Sequence, residues 1–578
     1  MPQRFNGSWR AEYLDETQYT GHVRMEVRSN TFHLITGDIF LNGVYDGWWE
    51  SSNVRLAANR LTLRYSILST TGQRFGGSLD LTMQNANSIS GRYNDDNNGG
   101  SGRVVLTRID NAYRQMTAEI DAINGIPWLP TVNLGGRNWN LAGIYNNAGI
   151  NLTVNQSQNN IPNPGTPLSR ADLHNIMATN RVVGQGPPWW GYMLLATTTQ
   201  SGALGVMFDT PPRPAPAREG CAVFVTQFNT SLPAAVRNSA ILRTAAHEFG
   251  HALNLLHPST ANAGTTIMNQ TRVLQNMPGW PNNISYTFRD INAEHLRHHP
   301  HPNVAFGGNA FGSAPHDIFF DEDVSINSSI DRRLELTLTP DQLVLSMCEP
   351  LYYNLSLRNI SNNSVTIERY LSLDSGVIRL IVYTPFGETR VIHPSVVYDV
   401  ATNQMELRSN YKYEEASYLL VDRQGPIFDY PGRYRIQAEY FGIIDNPWVM
   451  VRSNTVNIRV LHPTPKQELA LIELESYAPR MYLELDGADH LEDDVAPIRE
   501  LFEYDELRPL KNHFYYIDSK RLAIPFQDLI KDSQRACDYA KSSELLNKIE
   551  QDDTLNSKPC FNQLINNQIE SLEKIKKT

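Results

Sequence analysis

The first 110 residues alternate apolar and polar side chains between turns rich in Gly, Asn and Asp. This period of two places successive side chains on opposite faces of a strand, and short strands between such turns are typical of antiparallel sheets. The pattern is clearest in HVRMEVRSNTFHLITGDIFL, NRLTLRYSIL and GGSLDLTM. We therefore predict an antiparallel sheet or small barrel over residues 1–110.

Residues 111–318 mix the periods of strands and helices, which predicts an α/β (α+β) domain. GYMLLATTT, GALGVMFDT and CAVFVTQF have the apolar runs of strands. LSRADLHNIMATN begins with a Ser or Asp cap, and its apolar residues recur with a period of 3.6 residues, so we expect a helix there. The prolines of Pro211–Gly220 predict a loop between two of the strands.

Two further units follow along the chain. Residues 325–462 return to strand signals with regular turns, as in YYNLSLRNISNNSVTI, VIRLIVYTPFGE and PGRYRIQAEY, and we predict an immunoglobulin-like β-sandwich. Residues 463–578 are rich in charge and helical in period, which predicts a separate helical module. The chain is thus expected to be multidomain.

HEFGHALNLLH, from His247 to His257, carries the residue types of a catalytic zinc site. A helix over this segment places His247 and His251 four residues apart on one face. A catalytic zinc ion takes three protein ligands and keeps a fourth position for water. His257 completes the set when the chain leaves the helix before it, and Asn254, at the bend, tolerates the left-handed backbone that such a reversal needs. We predict Zn²⁺ as the cofactor.

Glu248 directly follows the first of these ligands. Its carboxylate would lie beside the open position, where it takes a proton from zinc-bound water and passes the proton to the leaving amine. This chemistry is peptide hydrolysis. The sequence therefore predicts a zinc metalloendopeptidase that acts on a protein or peptide substrate.

The motif resembles that of the metzincins, H-E-x-x-H-x-x-G-x-x-H followed by a Met-containing turn. TTIMNQ follows the third histidine, and the resemblance implies that Met268 forms an apolar floor beneath the metal. HEFGHALNLLH is nearest to matrixin-like sequences. Asn254 replaces the usual Gly, Pro258 stands where adamalysin-like members carry Asp, and Gln270 stands where astacin-like and serralysin-like members carry Tyr. The subfamily is therefore left unassigned.

The resemblance also implies that a peptide substrate adds as a strand to the edge of a sheet beside the cleft. The edge would be the strand at Gly205–Asp209 or its neighbour, and the sequence leaves both open. Asp38, within TGDI, distantly resembles the aspartate latch of astacin-like propeptides, but its setting favours a turn residue.

A second class of function also fits the sequence: an adhesin, or a glycan-binding or protein-binding module, with a vestigial or structural zinc site. Tyr45, Trp48 and Trp49 would then form an aromatic surface for a glycan, or else cover a barrel end. His298, His299 and His301 would hold a second metal, or be solvated residues at a helix end, which is the more usual role.

Composition excludes some partners. A net charge of -11 without a basic cluster argues against nucleic acid, and no apolar run reaches the length of a membrane span. Oligomeric state is left open. The four cysteines are too scattered for a disulfide scaffold, although Cys537 and Cys560 would form a pair or two free thiols. Cys221 reads as a thiol in a strand core rather than an inhibitory zinc ligand.

Two features concern export and destination. MPQRFNGSWRAEYL shows no secretory signal, so we expect a processed form or a chain that is secreted or delivered by another route rather than resident in the cytoplasm. No lysine precedes Lys412, and nine of the eleven lysines lie from Lys511 onward. Lysine accepts ubiquitin and arginine does not, so a scarcity of lysine would prolong the survival of a toxin or effector delivered into a eukaryotic cytosol. Compositional drift would also explain the uneven distribution of lysine.

Overall fold

The computed structural model describes residues 2–27, 33–69, 74–96, 100–163, 165, 167–182, 189–199, 202–208, 218–257, 264–275, 277–280, 282–308, 311, 329–392, 397–399, 403–422, 425–443, 448–524, 526–528, 533–552, 555 and 557–577. Pro258, Asp209 and most of the proline-rich stretch lie outside these residues. The described chain is multidomain, with an N-terminal barrel, further β sheets and C-terminal helices.

Eight antiparallel strands close into a barrel at the N-terminus, because the eighth strand pairs with the first. The predicted sheet or barrel is thus a barrel, and closure leaves no free strand edge. Alternate residues such as Trp9, Val23 and Leu61 fill its core, as the period of two requires. The strands are β1 Gly7–Tyr13, β2 Tyr19–Val27, β3 His33–Leu41, β4 Val44–Ala57, β5 Arg60–Ser69, β6 Arg74–Asn85, β7 Ser88–Asp95 and β8 Ser101–Asp110.

A mixed sheet follows the barrel, in the order β12-β9-β13-β15-β14-β23. Its first four strands run parallel, and β14 is antiparallel to β15. The three strands predicted from apolar runs are confirmed as β13, β14 and β15. The strands of this region are β9 Arg114–Ile123, β10 Val132–Leu134, β11 Arg137–Trp139, β12 Ile150–Ile161, β13 Trp190–Ala196, β14 Gly205–Phe208, β15 Gly220–Phe224 and, from farther along the chain, β23 Val397–Asp399.

Seven helices accompany this sheet in the part of the region that the structure describes. The predicted helix at Arg170–Asn180 is confirmed, with a capping box between Ser169 and Asp172. The two faces of the sheet bury alternate residues: Met193 and Met207 pack toward the helix that carries His247, whereas Tyr192 and Val206 pack on the opposite side. The helices are α1 Leu141–Asn147, α2 Arg170–Asn180, α3 Gln227–Ser231, α4 Arg237–Ala252, α5 Thr271–Gln275, α6 Asp290–His298 and α7 His301–Val304.

A buried polar interface joins the barrel to this region. Asp38 lies within β3, so its prediction as a turn residue is wrong; its carboxylate forms a fully buried ion pair with Arg24 and accepts a hydrogen bond from the backbone N–H of His301 at 2.8 Å. The strand continues through Asp38 because these partners compensate for burial of the charge.

His298 is central to the same interface. It is 3% exposed, so the expectation of solvated histidines at this helix end is wrong. Its Nε2 donates to Glu26 at 2.8 Å, its Nδ1 contacts the Thr36 hydroxyl at 3.2 Å, and Trp48 Nε1 donates to its carbonyl oxygen at 3.1 Å. Burial outweighs the Glu26 carboxylate and lowers the pKa of His298 to about 4. The contact with Glu26 is therefore a hydrogen bond from a neutral imidazole rather than an ion pair.

The chain from 329 to 460 forms further β sheets, which confirms the predicted strands there. The largest contains β16, β29, β28, β21 and β22, with β30 and β18 beside them, and β17, β19 and β25 form another. The strands are β16 Ser329–Ile330, β17 Leu334–Pro340, β18 Val344–Leu345, β19 Leu351–Asn359, β20 Val365–Glu368, β21 Ile378–Tyr383, β22 Thr389–Ile392, β24 Gln404–Leu407, β25 Lys412–Leu419, β26 Val421–Asp422, β27 Gly425–Pro426, β28 Gly432–Ile443, β29 Trp448–Arg452 and β30 Val456–Val460.

Helices dominate the C-terminal region, as predicted. Their buried residues form one apolar cluster with the preceding sheets and with one face of the mixed sheet. None of the described helices is both long and apolar enough to cross a membrane. The elements are α8 Pro465–Glu475, α9 Tyr477–Glu484, α10 Ala496–Glu500, α11 Arg508–Leu522, β31 Phe526–Asp528, β32 Ser533–Arg535, α12 Tyr539–Glu550 and α13 Pro559–Lys577.

Candidate metal centre

Helix α4 carries the first two predicted ligands. His247 and His251 are both fully buried, and every residue from Ala240 to Ala252 is buried as well. The helix packs between β14, β15 and the segment that follows it. Because packing fixes the helix on several sides, the two imidazoles have little freedom to move.

The helix ends as the sequence predicted. Asn254 has a φ of 65°, in the left-handed region, and the N–H of Leu255 donates back to the carbonyl oxygen of Gly250 at 3.0 Å. This hydrogen-bonded reversal is typical of a helix C-terminus. It turns the chain back along α4 and brings His257 to the other two histidines.

The three Nε2 atoms form a small triangle. They are 3.0 Å apart between His247 and His257, 3.0 Å between His247 and His251, and 2.9 Å between His251 and His257. Tetrahedral ligands at roughly 2.0–2.1 Å from zinc lie about 3.3 Å from one another. The triangle is therefore close to the size that a zinc ion requires.

Hydrogen bonds on the far side of the rings fix the tautomers. His247 Nδ1 lies 2.8 Å from the carbonyl oxygen of Ile267, and His251 Nδ1 lies 2.6 Å from that of Leu255. Carbonyl oxygens only accept, so both Nδ1 atoms carry protons and both Nε2 atoms present lone pairs. Burial lowers the pKa of His247 to about 3, which keeps the ring neutral. Lone pairs this close together are stabilised by a cation between them.

Gln270 orients the third ligand. Its side-chain amide lies 2.8 Å from His257 Nδ1. The amide atom at this distance is Nε2, which donates to Nδ1. When His257 Nε2 faces a metal, Nδ1 carries the proton instead, so the amide of Gln270 has to turn over and present Oε1 as the acceptor. Gln270 thus contacts His257 on the side away from the other two histidines.

Met268 is fully buried and packs against helix α4 at Gly250. A Cβ added to Gly250 would come within 2.6 Å of Met268 Sδ, so the close approach of helix and turn depends on this glycine. Gly is unfavourable within a helix by about 1 kcal/mol relative to Ala. Its place in HEFGH is explained by the room that it leaves for Met268.

Arg243 forms hydrogen bonds with the Met-containing turn, a contact that the sequence pattern did not predict. It is 1% exposed and lies on α4 one turn before His247. Its guanidinium donates to the carbonyl oxygen of Ile267 at 2.9 Å, to that of Asn269, and to the hydroxyl of Thr271 at 3.1 Å. The signal in the sequence was a charged residue on the face of the helix that carries the ligands.

Glu248 lies beside strand β14. A Cβ added to Gly205 would come within 2.7 Å of both Cγ and Oε1 of Glu248, and within 2.6 Å of Thr244 Cγ2. Because Gly205 belongs to β14, this strand directly borders the carboxylate. Among residues 111–318, β14 is the last strand of the sheet in the described structure.

The β region that follows also reaches this site. Strand β23 pairs antiparallel with β14, with Asp399 opposite Gly205, Tyr398 opposite Val206 and Val397 opposite Met207. Gly376 lies so close to Gln270 that an added Cβ would be 2.7 Å from Nε2 and 3.5 Å from His257 Nδ1.

A buried ion pair between Arg272, on α5, and Glu368, on β20, holds the same two regions together. Glu368 is fixed in turn by Tyr440, whose hydroxyl donates to the Glu368 carbonyl oxygen at 3.2 Å. The following β region is therefore anchored directly behind the Met-containing turn.

The other candidate residues do not join this cluster. Within the described residues, His247, His251 and His257 form the one group of three or more side chains able to hold a metal. Trp48 and Trp49 are 2% and 3% exposed, so they do not form an open glycan-binding surface.

All four cysteines are free, which decides between the pair and the free thiols at Cys537 and Cys560. Cys221 is fully buried in β15, and burial raises the pKa of its thiol well above the ordinary value. It is a core thiol, as predicted.

Comparison of the chain with protein-family models and with curated protein sequences finds no match. Among solved structures, the chain is similar to a redesigned beta barrel, at 15% identity over 19% of this chain and 95% of that one, with a TM-score of 0.15. It is also similar to a de novo designed fluorescence-activating beta barrel, at 21% identity over 19% and 96%, with a TM-score of 0.15. A CARDB domain from Pyrococcus furiosus matches at 12% identity over 22% and 92%, with a TM-score of 0.13. These scores carry no argument about function.

Proposed function

We propose that this protein is a zinc-dependent endopeptidase of the metzincin type, with His247, His251 and His257 as metal ligands and Glu248 as the general base. One observation carries the proposal: three imidazoles, two on the buried helix α4 and one in the chain that follows it, turn their Nε2 atoms toward one point at separations of 2.9–3.0 Å. A set of three nitrogen ligands with the two Nδ1 protons of His247 and His251 held by carbonyl oxygens suits a catalytic zinc ion.

The metal site and Glu248 have different roles in the proposed reaction. Zinc, when bound, supplies a Lewis acid that polarises the scissile carbonyl and acidifies a water molecule. Glu248, next to the first ligand, takes a proton from the attacking water and returns it to the amine of the leaving peptide. The buried setting of Glu248 keeps bulk water away from this transfer.

Strand β14 is the proposed site for the substrate backbone. It lies between β15 and β23 in the mixed sheet, antiparallel to both, and it borders Glu248 at Gly205. An extended peptide that pairs with such a strand is held by backbone hydrogen bonds, which act on any sequence. The scissile bond would then lie against the base, as an endopeptidase requires.

The regions outside residues 111–318 are proposed to select targets. We propose that the sheets between 325 and 462 belong to an immunoglobulin-like sandwich, and their contacts near Gln270 and Arg272 support a role in positioning the site. Delivery into a eukaryotic cytosol as a toxin or effector remains the proposal that the lysine distribution supports.

The test is a comparison of the wild type with Glu248→Gln and His247→Ala. We expect the wild type to bind one zinc ion and cleave a denatured protein, and Glu248→Gln to keep the zinc while losing at least about 100-fold in kcat, since a general base contributes roughly 10²–10⁴. His247→Ala should lose the zinc as well. Zinc content is measured by atomic emission and cleavage by gel. Stoichiometric zinc with no cleavage, after the covering strand described below is released, would favour the binding-protein alternative.

A further inference from the structure

The barrel keeps open space in its interior. An eight-stranded barrel is just wide enough for its own side chains to fill it or for one small ligand to bind inside. Here a cavity of about 460 Å³ remains, within the roughly 300–1,000 Å³ of small-molecule sites. Its walls are largely apolar and aromatic, and they include Trp49, Tyr65, Phe75, Leu79 and Tyr93.

Glycines explain why the space is open. Trp49 lies opposite Gly37, Tyr65 opposite Gly77, and Tyr93 opposite Gly102 on neighbouring strands. A Cβ on any of these three glycines would collide with the facing ring. The rings therefore lie flat on the barrel wall instead of filling the interior, and each is fixed there by close packing.

The charge of the cavity has one sign. Glu16, Asp46 and Asp95 line it, and no Lys, Arg or His is among the described lining residues. Aromatic faces and carboxylates both attract organic cations, because the ring faces are electronegative. An anionic ligand would be repelled by these three carboxylates, whereas a neutral ligand would gain from them only by donating hydrogen bonds.

We propose that the barrel cavity binds a small organic cation with a flat, apolar body, such as an arylalkylammonium ion or a cationic heteroaromatic ring. The ring system lies against Trp49, Tyr65 and Tyr93, and the cationic group lies near Glu16 and Asp46. This site is separate from the metal centre and its existence does not depend on the peptidase.

The test uses two dyes with the full-length protein: thioflavin T, a flat cation, and anilinonaphthalene sulfonate, an anion. We expect thioflavin T to bind at micromolar concentration and the anion at least tenfold more weakly. Leu79→Trp fills the cavity and should weaken thioflavin T binding at least tenfold. The matched control is Ile109→Trp, on the exposed side of β8, which should leave binding unchanged.

A second variant tests the charge preference of the cavity if Leu79→Trp disturbs folding. Glu16→Lys combined with Asp46→Lys changes the charge near the opening without filling the interior, and should reverse the preference between the two dyes. Equal binding of both dyes by the wild type, or a preference that survives the double substitution, would overturn the proposal.

An independent observation concerns strand β23. It covers β14, the strand that borders Glu248, and its Asp399 is opposite Gly205 at the catalytic end. Tyr398 is 7% exposed and belongs to the apolar cluster on the face of the sheet away from α4. The β region that supplies β23 is also anchored by the Arg272–Glu368 ion pair.

We infer that β23 occupies the substrate-strand site and keeps the enzyme latent. This inference rests on the proposed function. A substrate backbone needs the outer hydrogen-bonding groups of β14, and β23 already pairs with them along three residues. Because β23 belongs to the same chain, it competes at a high effective concentration, and cleavage requires that it be displaced.

The experiment removes backbone N–H groups from β23 in the full-length protein. Alternate residues of a strand direct their N–H groups to opposite sides. The double variant Val397→Pro with Asp399→Pro therefore removes the N–H groups on one side of β23, and Tyr398→Pro removes the N–H group on the other side. Alanine at the same positions provides the matched controls, which lose the same side chains but keep the N–H groups. One of the two proline variants should raise cleavage of a quenched casein at least tenfold over its alanine control.

Hydrogen exchange at the amides of Gly205–Phe208 distinguishes failure of the latency hypothesis from failure of the peptidase hypothesis. It measures release of β14 from β23 independently of cleavage. Faster exchange with faster cleavage supports latency. Faster exchange with unchanged cleavage of casein, still lost in Glu248→Gln, overturns latency and leaves the peptidase standing. Faster exchange with bound zinc and no cleavage overturns both.

A reversible disulfide cross-link between β14 and β23 tests the same inference if the proline variants do not fold. Val206→Cys with Tyr398→Cys places two thiols at directly opposed positions of the β14–β23 pair. We expect oxidation to abolish the residual cleavage and a reductant to restore it. Undiminished cleavage by the cross-linked protein would overturn the inference.

Discussion

At the scale of single residues, two glycines shape the site as much as its charged groups do. Gly250 leaves room for Met268 against α4, and Gly205 leaves room for the Glu248 carboxylate beside β14. Neither requires a left-handed backbone, since neither is among the glycines of positive φ. Their function is close approach rather than conformational freedom.

Gly205→Ala should therefore impair catalysis without removing the metal. The new methyl group would press on Glu248 from 2.7 Å and displace it. We expect a fall in kcat of about 10- to 100-fold, because a misplacement of about 1 Å costs this much, with zinc content unchanged. Gly100→Ala is the control, since its added Cβ meets nothing within 4 Å. A kcat equal to that of the wild type would contradict the close approach at Gly205.

At the scale of elements, the end of α4 decides whether three histidines become one site. The helix alone presents His247 and His251, and the reversal at Asn254 returns His257 to them. Arg243 then couples the helix to the Met-containing turn through two carbonyl oxygens and the Thr271 hydroxyl.

Substitution of Asn254 should act through this reversal. Asn254→Gly adopts a positive φ freely and should retain both zinc affinity and thermal stability. Asn254→Val would place a branched side chain in the left-handed region, at a cost of at least about 1–2 kcal/mol. We expect zinc affinity, measured by competition with a chelator, to fall at least tenfold in the valine variant. Equal affinities in the two variants would show that the reversal does not depend on Asn254.

At the scale of the whole molecule, the barrel and the mixed sheet share a buried polar interface. His298 lies at its centre with a pKa lowered to about 4 by burial. Its unfolded value is near 6.5, so at intermediate pH the unfolded state binds the extra proton. The stability contribution of the neutral ring is complete above pH 6.5 and is lost as the pH falls toward 4.

Urea unfolding of the wild type and of His298→Gln at pH 7, 5.5 and 4.5 tests this account. We expect the free energy of unfolding of the wild type to fall by up to about 3 kcal/mol more than that of the variant over this range. The comparison at equal pH removes the effect of zinc release, which both proteins share. Parallel curves would mean that His298 does not couple this interface to pH.

Local patterns predicted much of the fold. The period of two in β1–β8, the apolar runs of β13–β15 and the cap before α2 each depend on neighbours in sequence, and all were found as expected. Asp38 and His298 were predicted wrongly because their partners, Arg24 and Glu26, are supplied by strand pairing and by docking of the barrel. Burial of a polar residue depends on such distant partners.

For the site itself, HEFGHALNLLH by itself determined the proposed ligands, the base and the need for a bend at Asn254, because spacing along one helix fixes which side chains share a face. Only the tertiary structure decided that β14 is the strand beside Glu248, that Arg243 and Gln270 support the ligands, and that β23 covers the edge. These contacts join residues far apart in sequence, and they follow from how whole sheets pack rather than from any local period.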